Sequence, residues 1–145
     1  MRMRIISLLG LLAMIIAVVG LFRLGVLFTA NLFAVALQVA AVALLIWARI
    51  TFGRRSFHAA ANPTAGGLVT TGPYRYIRHP IYTAACLFCW ASILVHPSWT
   101  GVAFGTLLFL GVLARMLSEE QLVTQRYPGY VEYSKSTRRM IPYVF

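Results

Sequence analysis

The chain has 145 residues, of which 60% are hydrophobic and only 11% charged, with a formal net charge of +10. A soluble domain carries about 25% charged residues, so this composition excludes an ordinary water-facing globule and points to lipid as the solvent. One domain, residues 1–145, is expected at this length, and the basic excess has to be placed against a membrane before nucleic acid is considered.

Residues 5–22 contain no charge and read as a first span. Arg2 and Arg4 ahead of this run resemble the start of a signal peptide, but the run is long and no small-x-small cleavage pattern follows. A retained helix is expected. Residues 26–48 form a second run, in which Asn31 and Gln38 are the strongly polar members. Residues 49–79 form a connector rich in turn-formers (Asn62-Pro63, Gly66-Gly67, Gly72-Pro73) and are expected to be mostly irregular. Such a long connector is usually functional or disordered, and the tyrosines with Val69, Tyr74 and Ile77 argue against disorder.

Residues 81–95 and 99–114 are the third and fourth apolar runs, followed by a tail from 115 to 145 that holds all three acidic residues. A span needs about 20 residues. The third run reaches that only with Pro80 and His96 in the headgroup region. The expected fold is therefore an all-α integral membrane protein with about four transmembrane helices, two in residues 1–48 and two in a core of 49–145.

With the N-terminus inside, twelve of the thirteen basic residues fall on inner segments, and Arg23 alone on an outer turn. The positive-inside rule then puts both termini in the cytoplasm, with the chain in an inner or plasma membrane. The charge becomes a topology signal, and nucleic acid is not an expected partner.

Three constellations carry chemistry. In Arg78-His79-Pro80-x-Tyr82, Pro80 suits the first turn of a helix and leaves His79 near its N-cap, where free N–H groups and Arg78 would hold an anion. The alternative is an interfacial belt of snorkelling side chains. Arg115 and Glu119 stand one helical turn apart with Glu120 adjacent, and ionisable groups near a bilayer are candidate functional groups. The alternative is a surface ion pair. The tail, Tyr127-Pro-Gly-Tyr130-Val-Glu-Tyr133 and then Arg138-Arg139, reads as a lid over the inner face or as an interfacial amphipathic helix.

Other features are weaker. Cys86-x-x-Cys89 lies in an apolar run without partner ligands, so small core residues are expected and no metal. Gly101-x-x-x-Gly105 suggests helix packing. Asn62-Pro63-Thr64 is no glycosylation acceptor because proline follows the asparagine. No G-x-G-x-x-G or phosphate-binding loop is present, which excludes a soluble-type nucleotide domain.

Taken together, GLVTTGPYRYIRHPIYTA and RMLSEEQLVTQRYPGYVEYSKSTRRMIP resemble the isoprenylcysteine carboxyl methyltransferase family and its relatives among phospholipid methyltransferases. The resemblance covers about residues 66–145, with its motifs in family order, while the first two spans match only as oily helices. It implies methyl transfer from S-adenosylmethionine to a lipophilic small molecule or lipid at the cytoplasmic face, with the connector and tail forming the cofactor site. By the resemblance, Tyr74, Arg78, His79, Pro80, Tyr82, Glu119, Tyr130, Tyr133 and Arg139 belong to the cofactor pocket, while Arg115 and Glu120 orient the acceptor. One departure is Ala84, where the family pattern has glycine. The rival readings are an NADPH-dependent relative of the sterol reductases and a non-enzymatic lipid-binding subunit. The acceptor's reactive group and the oligomeric state stay open.

Overall fold

Apolar runs bounded by polar caps and proline set the helices of this chain. The computed structural model describes residues 2–53 and 67–145; Arg54, Arg55, Asn62-Pro63-Thr64 and Gly66 lie outside the described residues. Helix α1 covers Arg2–Arg23, α2 Leu32–Phe52, α3 Pro80–Val95, α4 Trp99–Arg126 and α5 Tyr130–Ser136, with a 3-10 turn at Gly72–Arg75. Among the described residues there is no strand, only one isolated parallel bridge between Ile77 and Arg138.

Two boundaries differ from the expected ones. Helix α2 starts at Leu32 rather than at Val26, because the Asn31 side chain accepts from Phe33 N (3.1 Å) and Ala34 N (3.2 Å) and caps it there. Helix α4 runs on to Arg126, twelve residues past the expected end, because no glycine or proline interrupts it before Pro128. Its start is capped by Ser98 Oγ, which accepts from Gly101 N at 3.1 Å.

Helices α1, α2 and α4 are long and apolar enough to cross a membrane. Helix α3 has 16 residues, about 24 Å, against a hydrocarbon core of about 30 Å. The expected four spans are thus three by length and hydropathy, with α3 a shorter apolar helix among them. Many of the large side chains of α1 and α2 are exposed (Ile5, Leu9, Leu12, Phe33, Ile50), as helices facing lipid require.

Helix α1 lies along α4, and α2 along α3. The first pair crosses backbone to backbone: a Cβ on Gly10 would sit 2.7 Å from Gly111 O, and one on Gly111 2.7 Å from Gly10 O. Gly105 packs against Trp90 and Ile93 of α3, whereas a Cβ on Gly101 would chiefly meet its own cap, Ser98 Oγ. A core of Ala17, Leu21, Leu27, Cys89, Ile93 and Leu108 fills the middle, so Cys89 is a core residue and both cysteines are free thiols. Gln38 is 7% exposed and donates from Nε2 to Leu27 O (2.8 Å), Ser92 Oγ (2.9 Å) and Phe88 O (3.3 Å), tying α2 to α3 and to the loop before it.

Candidate functional site

The site forms where α3 begins and α4 does not stop. Pro80 opens α3 as its first residue, needing no backbone donor there. Tyr82, one turn in, is level with Glu119. Helix α4 continues seven residues beyond Glu119, about 10 Å, so a recess is left under the short helix. The segment 67–79 and the tail fill it.

Gly72 places the entering segment. Its φ is +57°, and a Cβ would come within 2.5 Å of Thr51 Oγ1, so only glycine lets the chain turn this tightly on the end of α2. The Tyr74 ring then packs on Phe52 at 5.3 Å, and its carbonyl accepts from Tyr133 OH at 2.6 Å. The tail pairs alongside: Arg78 N donates to Arg138 O (2.7 Å), His79 N to Arg139 O (2.9 Å), and Arg138 N to Tyr76 O (3.2 Å). This backbone pairing sets Arg78, His79 and Arg139 around one carboxylate.

That carboxylate is Glu120, with 13% of its side chain exposed. Arg78 Nε donates to Oε1 at 2.9 Å, His79 Nε2 lies 3.2 Å from the same oxygen, and Arg139 Nε donates to Oε2 at 3.0 Å. Arg78 also donates from Nη1 to Ser134 O (2.9 Å) and Thr137 O (2.6 Å). One guanidinium therefore holds α4 and the tail together.

Glu119, the next residue, points to different partners. Tyr82 OH donates to its Oε1, Arg115 Nη2 donates to the same oxygen at 3.1 Å, and Arg115 Nε donates to Tyr82 OH at 2.7 Å. His79 bridges the two groups: Nδ1 lies 4.0 Å from Glu119 Oε2, and its ring stacks on Tyr82 at 5.7 Å. Arg115 is buried at 6% exposure, while Glu119 keeps 24% of its side chain open. Charges this deep persist because each is paired and hydrogen-bonded.

Burial pushes the Tyr133 phenol up to about 12. It raises Tyr74 and Tyr130 as well, with the neighbouring charges of Tyr133 and Glu120 respectively adding to the effect. All three are neutral hydrogen-bond donors at ordinary pH. One buried side-chain polar atom among the described residues, Tyr127 OH just past α4, has no hydrogen-bond partner.

Of the residues singled out in the sequence, Arg78, His79, Tyr82, Arg115, Glu119, Glu120, Tyr130 and Arg139 come together around the two carboxylates. Pro80 shapes the helix start, and Tyr74 and Tyr133 join the connector to the tail. Ala84 is buried at 2% exposure within α3, so its methyl group is accommodated. Sequence reasoning missed Thr83, whose Oγ1 donates to Met140 O at 2.9 Å, and the carbonyls of Ser134 and Thr137. Main-chain acceptors carry no side-chain signature. Among the described residues, no group of His, Cys, Asp and Glu is arranged to hold a metal ion.

The family model described as phospholipid methyltransferase matches residues 29–129. The match takes in α2, α3 and α4, so it starts earlier than the motif resemblance and leaves the tail beyond 129 outside it. No curated protein and no solved structure matches the chain.

Proposed function

The chain belongs to the phospholipid methyltransferase family, and from that membership we propose that it moves a methyl group from S-adenosylmethionine to a lipophilic acceptor at the basic, cytoplasmic end of its helices. Membership makes it a membrane methyltransferase for lipid-type substrates. The donor, the face and the residue roles are our reading.

The observation that carries it is the divergence of Glu119 and Glu120. Adjacent on one helix, they serve two separate sets of partners that meet at His79. The residues fit the donor's chemistry: carboxylates for an ammonium and for hydroxyls, guanidinium groups for a carboxylate, and the stacked His79–Tyr82 pair for a flat base. Bound there, S-adenosylmethionine supplies a methyl group activated on a sulfonium.

Glu120 is committed to two guanidinium groups and the His79 ring, so its part is to fix Arg78, His79 and Arg139 and through them the tail. Glu119 is the carboxylate open to a ligand. Arg115, held by Tyr82 and Glu119, orients the acceptor's polar head from within the bundle. The tail packs over the two carboxylates and excludes water from them, which leaves alignment as the main source of rate. We read this end as the cytoplasmic one on the positive-inside rule, since Arg2, Arg4, Arg49, Arg126 and Lys135 share it.

The test is transfer of labelled methyl from S-adenosylmethionine into a total lipid extract by the protein in vesicles. Label should enter the organic phase, and Arg115→Ala should reduce it by roughly a hundredfold. A folded wild-type protein that transfers nothing, or an Arg115→Ala protein of normal rate, overturns the reading.

A further inference from the structure

Beside the ion cluster lies an apolar groove of about 460 Å³, walled by Thr83, Cys86 and Trp90 of α3, Phe109 of α4, and Met140 and Ile141 of the tail. It is not part of the carboxylate site, but its walls adjoin that site, since Tyr82 and Cys86 pack on the same Met116–Met140 cluster. Thr83 follows Tyr82, and Met140 follows Arg139. The Thr83 hydroxyl is already committed to His79 O (3.1 Å) and Met140 O (2.9 Å), so this wall offers no free polar group to an occupant.

The groove has a direction. Thr83, Cys86 and Trp90 lie on one stripe of α3 across seven residues, about 10 Å along the helix axis. Thr83 marks the end toward Tyr82, where Phe145, stacked under Arg139, also lines the groove, and Trp90 marks the other end. The indole rests on α4 at a position without a side chain: a Cβ on Gly105 would stand 3.0 Å from Trp90 Cζ2 and 3.1 Å from Cε2. Phe109, one turn along α4 from Gly105, flanks the same end. Gly105 is therefore the reason why the ring can lie across from α3 to α4.

We propose that the groove holds one hydrocarbon chain of the methyl acceptor, its head at the Arg115–Glu119 end, and that Trp90 seated on Gly105 is the stop that sets how long a chain fits. This rests on the methyltransferase reading for the identity of the occupant. A cleft of this volume lies in the lower part of the usual ligand-site range of about 300–1,000 Å³, which suits one chain and not a pair. The apolar lining recognises hydrocarbon alone, and the head is read by the neighbouring ion cluster. Trp90 and Gly105 are specificity-determining residues on this view, without a part in the chemistry.

The test reads Trp90 directly and needs no turnover. In a protein carrying Trp47→Phe and Trp99→Phe, Trp90 is the single tryptophan. Its emission is followed in unbrominated detergent as stearic acid is added, brominated either at the chain end or beside the carboxyl. The expected result is saturable quenching, stronger with the terminal bromines. Gly105→Ala, which displaces the indole into the groove, should shift the preference to shorter chains. Cys86→Leu, which narrows the groove from α3 without touching Gly105, should weaken the probe by roughly tenfold. Quenching that rises without saturation, as for bulk lipid, overturns the proposal, as does equal quenching by both bromine positions. Saturable quenching in a protein that transfers no methyl supports the chain site and strikes only at the methyltransferase reading.

Discussion

Arg78 and Glu120 stand 42 residues apart in the chain and meet at 2.9 Å, their side chains 9% and 13% exposed. The same guanidinium takes two carbonyls of the tail, so this contact joins the start of α3, the end of α4 and the tail. Arg78→Ala leaves Glu120 short of a cation and two carbonyls short of a donor. Breaking a pair this buried costs about 3–5 kcal/mol. The unfolding midpoint in detergent should fall and proteases should cut the tail between Tyr127 and Arg139; an unchanged midpoint with a protected tail contradicts this role.

The tail's second anchor depends on a neutral phenol. Tyr133 OH donates to Tyr74 O at 2.6 Å, and burial pushes that phenol up to about 12 from an ordinary value near 10. A raised folded-state pKa means that the contact is fully present below about pH 10 and is lost as pH rises through about 12. Tail protection against proteolysis should fall across that alkaline window. Tyr133→Phe should cost about 1 kcal/mol at neutral pH and remove this residue's share of the alkaline loss. A variant with the wild-type alkaline profile speaks against the assignment.

The α1–α4 crossing admits no side chain at Gly111, where a Cβ would meet Gly10 O at 2.7 Å. Because the obstacle is backbone, the helices must separate to accept it. Gly111→Ala should destabilise the protein by about 1–3 kcal/mol, while the helix content of the chain is retained. Arg115 lies one turn further along α4, and a Cβ on Gly10 would come 3.1 Å from Arg115 Cγ, so the same variant should also lower turnover. A thermal midpoint equal to wild type would contradict the close crossing.

Much of this architecture is legible in the sequence, for physical reasons that differ by element. Charge-free runs announce α1 and the interior of α2, since lipid accepts nothing else. The start of α2 is hidden because Val26–Ala30 is as apolar as the helix, and only the capping chemistry of Asn31 marks the boundary. The end of α4 is misplaced when apolarity is the guide, although Pro128 signals it. The Gly10–Gly111 approach is invisible in the sequence, because a glycine does not name its partner.

The site is better marked than the packing. Arg78, His79, Tyr82, Arg115, Glu119, Glu120 and Arg139 carry chemistry too costly to keep near a bilayer without partners, so they stand out from their surroundings. Which glutamate takes which cations is not written in their spacing. Neighbours on a helix point about 100° apart, and the tail's backbone pairing with residues 76–79 decides the rest.

The most direct measurement is the binding of S-adenosylhomocysteine and of NADPH to the detergent-purified protein, wild type beside Glu119→Gln. The expected result is saturable binding of S-adenosylhomocysteine by the wild type, roughly tenfold weaker or more in Glu119→Gln, with no response to NADPH. Equal binding by both proteins, or a response to NADPH alone, contradicts a methyl-donor site built on Glu119.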